Sequence, residues 1–180
     1  MSEQALPSEL ADRFARELAA VAGTPHAGGD AGEVALEVAG DAPVVVAVDG
    51  DESLDPIAAE LSRAGHHVLR PSDPAWHDRL PDAYLGVTGC TAALADTGTL
   101  LLTFGPRRPR GTSLVPRVHL AIVNDDDLVP SLPDALARVA GAGTLSSGMA
   151  CVTGPSRSGD IEQILTLGVH GPAHVHVVLP

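Results

Sequence analysis

The densest set of groups able to hold an anion lies at residues 153–172, TGPSRSGDIEQILTLGVHGP. Gly154 and Pro155 turn the chain, and Ser156, Arg157 and Ser158 offer two hydroxyls and a guanidinium. Asp160, with Gln163 three residues on, has the spacing of a helix cap. A turn of this kind leaves backbone N–H groups and the positive end of a helix dipole facing outward, which suits a carboxylate or a phosphate. The same residues would also make an ordinary strand-to-helix connection. In GVHGP, His170 stands next to Gly171 on a glycine-flanked loop, where an imidazole can serve as acid, base or donor, or simply face solvent beyond a glycine C-cap. His174 and His176 alternate and share a strand face, which with His170 suggests a metal site. No carboxylate or cysteine nearby in sequence completes such a set, so no metal ligand is assigned.

Two upstream segments add to this chemistry. In VTGCTAALADTGTLLLTF, residues 87–104, the hydroxyls of Thr88, Thr97 and Thr99 and the N–H of Gly98 could bind anionic oxygens, with Asp96 placed to act as a base or to pair with an arginine. A turn in which Asp96 and Thr97 satisfy only local backbone accounts for the same pattern. The loop GPRRPRGTSLVP, residues 105–116, holds Arg107, Arg108 and Arg110 among stiffening prolines, and a guanidinium fork matches a carboxylate or phosphate. Arginines of this kind also serve merely to keep a loop soluble.

Composition closes several alternatives. All eleven basic residues are arginine. Without lysine, a Schiff base, a P-loop and a Ser-Lys dyad are excluded. A net charge of −12 disfavours nucleic acid and anionic membrane. Cys90 and Cys151 match no metal spacing and cannot supply the four thiolates of an iron–sulfur cluster. No apolar run approaches the roughly 18 residues that cross a bilayer, and no signal peptide is evident, so the expected location is cytoplasmic with both thiols reduced.

The elements that must position these groups follow from periodicity. Apolar residues Leu10, Phe14, Leu18 and Val21 recur at helical spacing over residues 8–21, and the glycine-rich residues 24–32 read as a mobile linker. This divides the 180 residues into a helical arm with its linker, 1–32, the helix being either semi-detached or a packing element, and an α/β domain, 33–180. PVVVAVDG, residues 43–50, is a β-branched run typical of a strand buried on both faces. Helical spacing follows at Leu54, Ile57, Ala58 and Leu61. Strands are expected at 66–69, 83–87, 99–104, 118–123, 150–153 and 175–179. Helices are expected at 74–80, 132–139 and 160–167. Alternation of this kind predicts a largely parallel sheet covered by helices. With only Phe14, Trp76, Tyr84 and Phe104 aromatic, the core must be packed mainly from aliphatic side chains.

TG at 88–89, ADTGTL at 95–100, the arginine loop leading into SLVPRVHLAIV at 113–123, and TGPSRSGDIEQILTLGVHGP occur in that order. Together they resemble the LUD-domain family, most closely its lactate-utilisation protein C branch, over residues 83–180. Ser158 stands where threonine is common in that family, and Asp96 where glutamate often precedes TGT. The resemblance implies a three-layer α/β/α sandwich of the NagB/RpiA/CoA-transferase type. It also implies a part in oxidising L-lactate to pyruvate beside a cysteine-rich iron–sulfur oxidoreductase subunit and a second iron–sulfur subunit. No cofactor is then expected in this chain, and the clusters would lie in partner subunits. The residues expected to hold a small carboxylate or phosphate are Thr88, Thr97, Gly98, Thr99, Arg110, Gly154, Pro155, Ser156, Arg157, Ser158, Asp160 and Gly171, with Asp96 and His170 as acid–base candidates. Two other readings remain open: a stand-alone enzyme acting on a thioester, sugar phosphate or folate, and a non-catalytic ligand-binding module.

Overall fold

A computed structural model describes residues 6–142, 146–159, 165–168 and 170–180. The chain begins with α1 (Pro7–Ala20), β1 (Thr24–Ala27), α2 (Ala31–Ala39) and β2 (Val45–Val48), followed by α3 (Asp55–Arg63), β3 (His67–Leu69) and α4 (Trp76–Arg79). Next come β4 (Ala83–Gly89), β5 (Ala92–Leu94), β6 (Thr99–Phe104), α5 (Gly111–Leu114) and β7 (Val118–Ile122). The last part holds β8 (Leu128–Val129), α6 (Leu132–Gly141), β9 (Gly148–Val152), β10 (Arg157–Gly159), β11 (Leu165–Leu167) and β12 (His174–Leu179).

Among the described residues, six parallel strands form the central sheet in the order β1-β12-β7-β4-β2-β3. Alternation along the strands decides what covers each face. Val46, Val48, Leu85, Val87, Val118 and Leu120 face Val34, Ala35 and Ala39 of α2 and Ile57 and Leu61 of α3. On the other face, Ala121, Val175, Val177 and Leu179 meet α1 and one side of a second sheet, ordered β8-β5-β6-β9. Ala135 of α6 packs on the far side of that second sheet, against Ala92, Leu94 and Leu101. The architecture is thus a layered α/β sandwich around a parallel sheet, as expected.

Three local expectations are corrected. The linker at residues 24–32 is instead an edge strand and a helix cap. Thr24–Ala27 pairs with β12, and the Asp30 side chain accepts hydrogen bonds from the Gly32 and Glu33 N–H groups at the start of α2. Pro25 fits because an edge strand needs no donor on its outer side. Nor is the described part of the first segment, residues 6–32, separate in packing: Phe14 and Leu18 are fully buried in the core, a burial worth roughly 1.5–3 kcal/mol each. Finally, where a helix was expected at 160–167, Leu165–Leu167 is a strand paired antiparallel with Arg157–Gly159. Residues 160–164 lie outside the described residues.

Candidate functional site

In an open parallel sheet, ligands gather at the carboxyl ends of strands where the chain reverses its direction of progress across the sheet. Here that point lies between β2 and β4. From β2 the chain moves outward to β3, then returns to place β4 on the other side of β2. The two strand ends deliver Asp49-Gly50-Asp51 and Gly89-Cys90-Thr91. A cleft of about 750 Å³ opens above them, lined by Asp51, Glu52, Thr91, Thr103, Arg107 and Arg108 among others. That volume is within the range of small-molecule sites, roughly 300–1,000 Å³. A void of about 10 Å³ lies at the floor, lined by Asp49, Thr88, Cys90, Arg108 and Ser113.

The charges lining this cleft are paired. Arg108 forms an ion pair with Asp51. Arg107 donates to the Gly50 carbonyl at 2.8 and 3.0 Å and to Glu52 at 2.9 Å. Asp49 is only 2% exposed and accepts a hydrogen bond from the Asp51 N–H at 2.9 Å. Burial pushes its carboxyl up to about 6, against the lowering pull of that N–H and of the Arg108 guanidinium. Asp51 behaves oppositely. Partial burial acts to raise its carboxyl, but hydrogen bonds from the Ser53 N–H and hydroxyl, together with Arg108, hold it below the usual range. Burial also pushes the Cys90 thiol well up, so it stays protonated.

A polar patch continues under α5. Thr88 and His119 are bonded at 2.9 Å between Oγ1 and Nε2, and His119 has no exposed surface. Burial lowers its ring to about 4, so it is neutral in the folded protein. Its Nδ1 and the Thr112 hydroxyl are buried without a hydrogen-bond partner among the described residues. Helix α5 can press this close because Gly86 has no side chain: a Cβ there would lie 1.9 Å from the Thr112 carbonyl oxygen.

Of the residues expected to bind a ligand, Thr88 reaches the floor of this site. The others are placed elsewhere. Arg110 precedes α5 as an exposed side chain, and its neighbours Arg107 and Arg108 line the cleft instead. Asp96 takes up the local arrangement, accepting from the Thr97 hydroxyl at 3.2 Å while its N–H donates to Pro130. Gly98, Thr99, Gly154 and Arg157 gather around the end of α1. Thr99 and Thr153 are joined through their hydroxyls at 2.8 Å, and Arg157 donates to the Val21 carbonyl. A Cβ on Gly154 would meet that same carbonyl oxygen at 2.5 Å. Pro155 is buried, while Ser156 and Gly171 pack together near Leu114. The Ser156 N–H donates to the Pro172 carbonyl. Ser158 lies on β10 opposite Thr166, His170 is exposed, and Asp160 is outside the described residues. The helix N-terminus of the expected cradle, at residues 160–163, lies outside the described residues, while Leu165–Leu167, expected to continue that helix, is a strand.

The histidines of β12 pair across strands: His176 Nδ1 lies 3.0 Å from His26 Nε2, and the rings stack with centroids 5.3 Å apart. Among the described residues no group of three or more His, Cys, Asp or Glu side chains is arranged to hold a metal.

Arg108 was named by sequence within the arginine loop, but Asp49 and Asp51 were not singled out. The available signal was an aspartate and glycine directly after a buried parallel strand, the place where such sheets present ligand groups.

A layered α/β sandwich with its polar cleft at the carboxyl ends of a parallel sheet defines the class, and comparison defines the family. The LUD domain pattern matches residues 8–179, and the chain belongs to the LUD domain family. It is 32% identical over 124 residues to lactate utilization protein C of Deinococcus radiodurans, covering 68% of this chain and 58% of that protein. It is 34% identical over 119 residues to the protein of that name from Shouchella clausii, covering 60% and 52%, and 36% identical over 101 residues to that of Bacillus subtilis, covering 54% and 42%. The chain thus spans about half the length of these relatives. A crystal structure of a DUF162 family protein from Deinococcus radiodurans shares the fold, with a TM-score of 0.71 at 23% identity over 97% of this chain and 98% of that one. Among the described residues, no helix is long and apolar enough to cross a membrane.

Proposed function

We propose that this chain serves lactate utilisation as a subunit that binds a small carboxylate, L-lactate or its oxidation product, in the cleft above β2 and β4. The observation that carries the reading is the pair Arg107 and Arg108, set on the cleft wall over the strand ends. A guanidinium exchanging its protein carboxylate for a ligand carboxylate keeps its charge-assisted hydrogen bonds. The Thr91 and Thr103 hydroxyls, 2.8 Å apart in the same wall, supply further polar contacts. The names of the relatives support the pathway. The family resemblance implies that electrons from the substrate would pass to iron–sulfur partner subunits, and Cys90 and Cys151 alone cannot supply the four thiolates of such a cluster.

Anaerobic mixing of the purified chain with candidate iron–sulfur subunits tests the assignment. The expected result is a complex that reduces dye in a lactate-dependent manner, which no component does alone. Absence of both complex and dye reduction would overturn it.

The cleft volume favours a second reading, since one lactate fills only a small part of it. A stand-alone enzyme acting on a larger anion, such as a thioester, sugar phosphate or folate, would use the same wall. Turnover by the isolated chain distinguishes it.

A further inference from the structure

We propose that Asp49 is the proton-exchanging group of the cleft: its carboxyl gains a proton as a small carboxylate docks on Arg108 and returns it as the ligand leaves. The proposal rests on the reading of the cleft as an anion site and extends it to a specific residue and a measurable proton.

Geometry places Asp49 for this. It follows the last residue of β2, it is buried, and it borders the same floor void as Arg108, Thr88, Cys90 and Ser113. Its stabilising contacts are few: the Asp51 and Gly89 N–H groups and the charge of Arg108. Arg108 is already shared with Asp51. A ligand carboxylate on Arg108 divides that positive charge further, adds a negative charge beside Asp49 and displaces water. Each of these favours the neutral acid.

Arg108 and Cys90 line the floor void with Asp49, and further charged or titratable groups stand on the neighbouring elements. Arg107 and Arg108 enter from the loop between β6 and α5, and Arg70 from the end of β3, where it donates to the Asp49 carbonyl and pairs with Asp55. Asp51, Glu52 and Asp55 come from the turn into α3, Cys90 from the end of β4 and His119 from β7. Asp51 is held ionised, while Cys90 and His119 are held neutral. Asp49 starts near 6, so a modest upward push carries it across neutral pH.

Calorimetric titration of the full chain with L-lactate, and with pyruvate, in two buffers of different ionisation enthalpy measures the proton directly. Both ligands stay ionised throughout the range used. Uptake of a large fraction of one proton per ligand is expected at about pH 7, with affinity falling up to about tenfold per pH unit above about 6. Asp49→Asn should bind without buffer dependence and more tightly than the parent at about pH 7.5. Arg108→Gln should weaken binding at least about tenfold. Buffer-independent heats in the parent chain, or unchanged proton uptake in Asp49→Asn, would overturn the proposal while leaving the anion site intact. Absence of heat with either ligand at any pH would instead overturn the anion-site reading, and this proposal with it. If Asp49→Asn fails to fold, the buffer dependence of the parent chain decides.

Discussion

Gly98 rests on the main chain of Leu18, so close that a Cβ would stand 2.3 Å from the Leu18 amide nitrogen. Its φ of +60° is one that side chains rarely adopt. With Gly154 against Val21 and Arg157 bonded to the Val21 carbonyl, two of the most recognisable segments of the sequence form a seat for α1.

Gly98→Ala should therefore act on stability. Left-handed strain and a backbone clash together predict a loss of about 2–4 kcal/mol, read from urea unfolding of the purified variant. A change within about 0.5 kcal/mol would show that α1 is not held at this point.

Arg108 and Arg110 are only two residues apart and should differ sharply. Arg108→Gln is expected to weaken L-lactate binding at least about tenfold, as loss of a charge-assisted contact does, while Arg110→Gln leaves it unchanged. The Arg108–Asp51 pair is partly exposed, so its removal should cost less than about 1 kcal/mol of stability. Equal effects of the two substitutions in calorimetry would refute this division.

The pH dependence of stability should contain two opposing slopes. His119 is folded as a neutral ring lowered to about 4, so its contribution is present above the ordinary histidine value and is lost as pH falls through about 4. Asp49 is raised to about 6, so its contribution is present below the ordinary aspartate value and is lost as pH rises through about 6. Each amounts to about 3 kcal/mol across its window. Asp49→Asn removes the falling slope, so its stability relative to the parent should rise between about pH 4 and 6. Urea unfolding across that range checks the sign, and parallel curves would contradict it.

Gly86→Ala should lift α5 from the sheet, because the clash is with the Thr112 carbonyl oxygen rather than a flexible side chain. A loss of about 1–3 kcal/mol is expected, with faster amide exchange confined largely to residues 111–114 and their neighbours.

Much of the central sheet was legible because buried parallel strands are written in β-branched and aliphatic runs. PVVVAVDG announced β2, and TLLLTF matched β6 residue for residue. The edge strand TPHA carried no such signal, since it borders a single neighbour and its Pro25 reads as a loop residue. Helix α2 was missed although Asp30 is a good cap, because AGEVALEVA is short and rich in small residues. LTL at 165–167 lay next to a convincing helix cap but pairs as a strand, so tertiary pairing overrode local preference. The arginines of the loop at residues 105–116 were legible as a group. Which of them reach the cleft was not, because that depends on how the loop folds back over Gly50. Asp49 gave little warning because its chemistry comes from burial rather than from its neighbours in sequence.

The pairing of β1 with β12 joins residues such as His26 and His176, 150 positions apart. During synthesis β1 must wait for β12, about 150 positions further on, before it has this partner. Until then α1 also lacks the loops that seat it. Helix α1 thus reaches its final place well after it is made, and chaperones would meet a nascent protein whose apolar Phe14 and Leu18 are still uncovered.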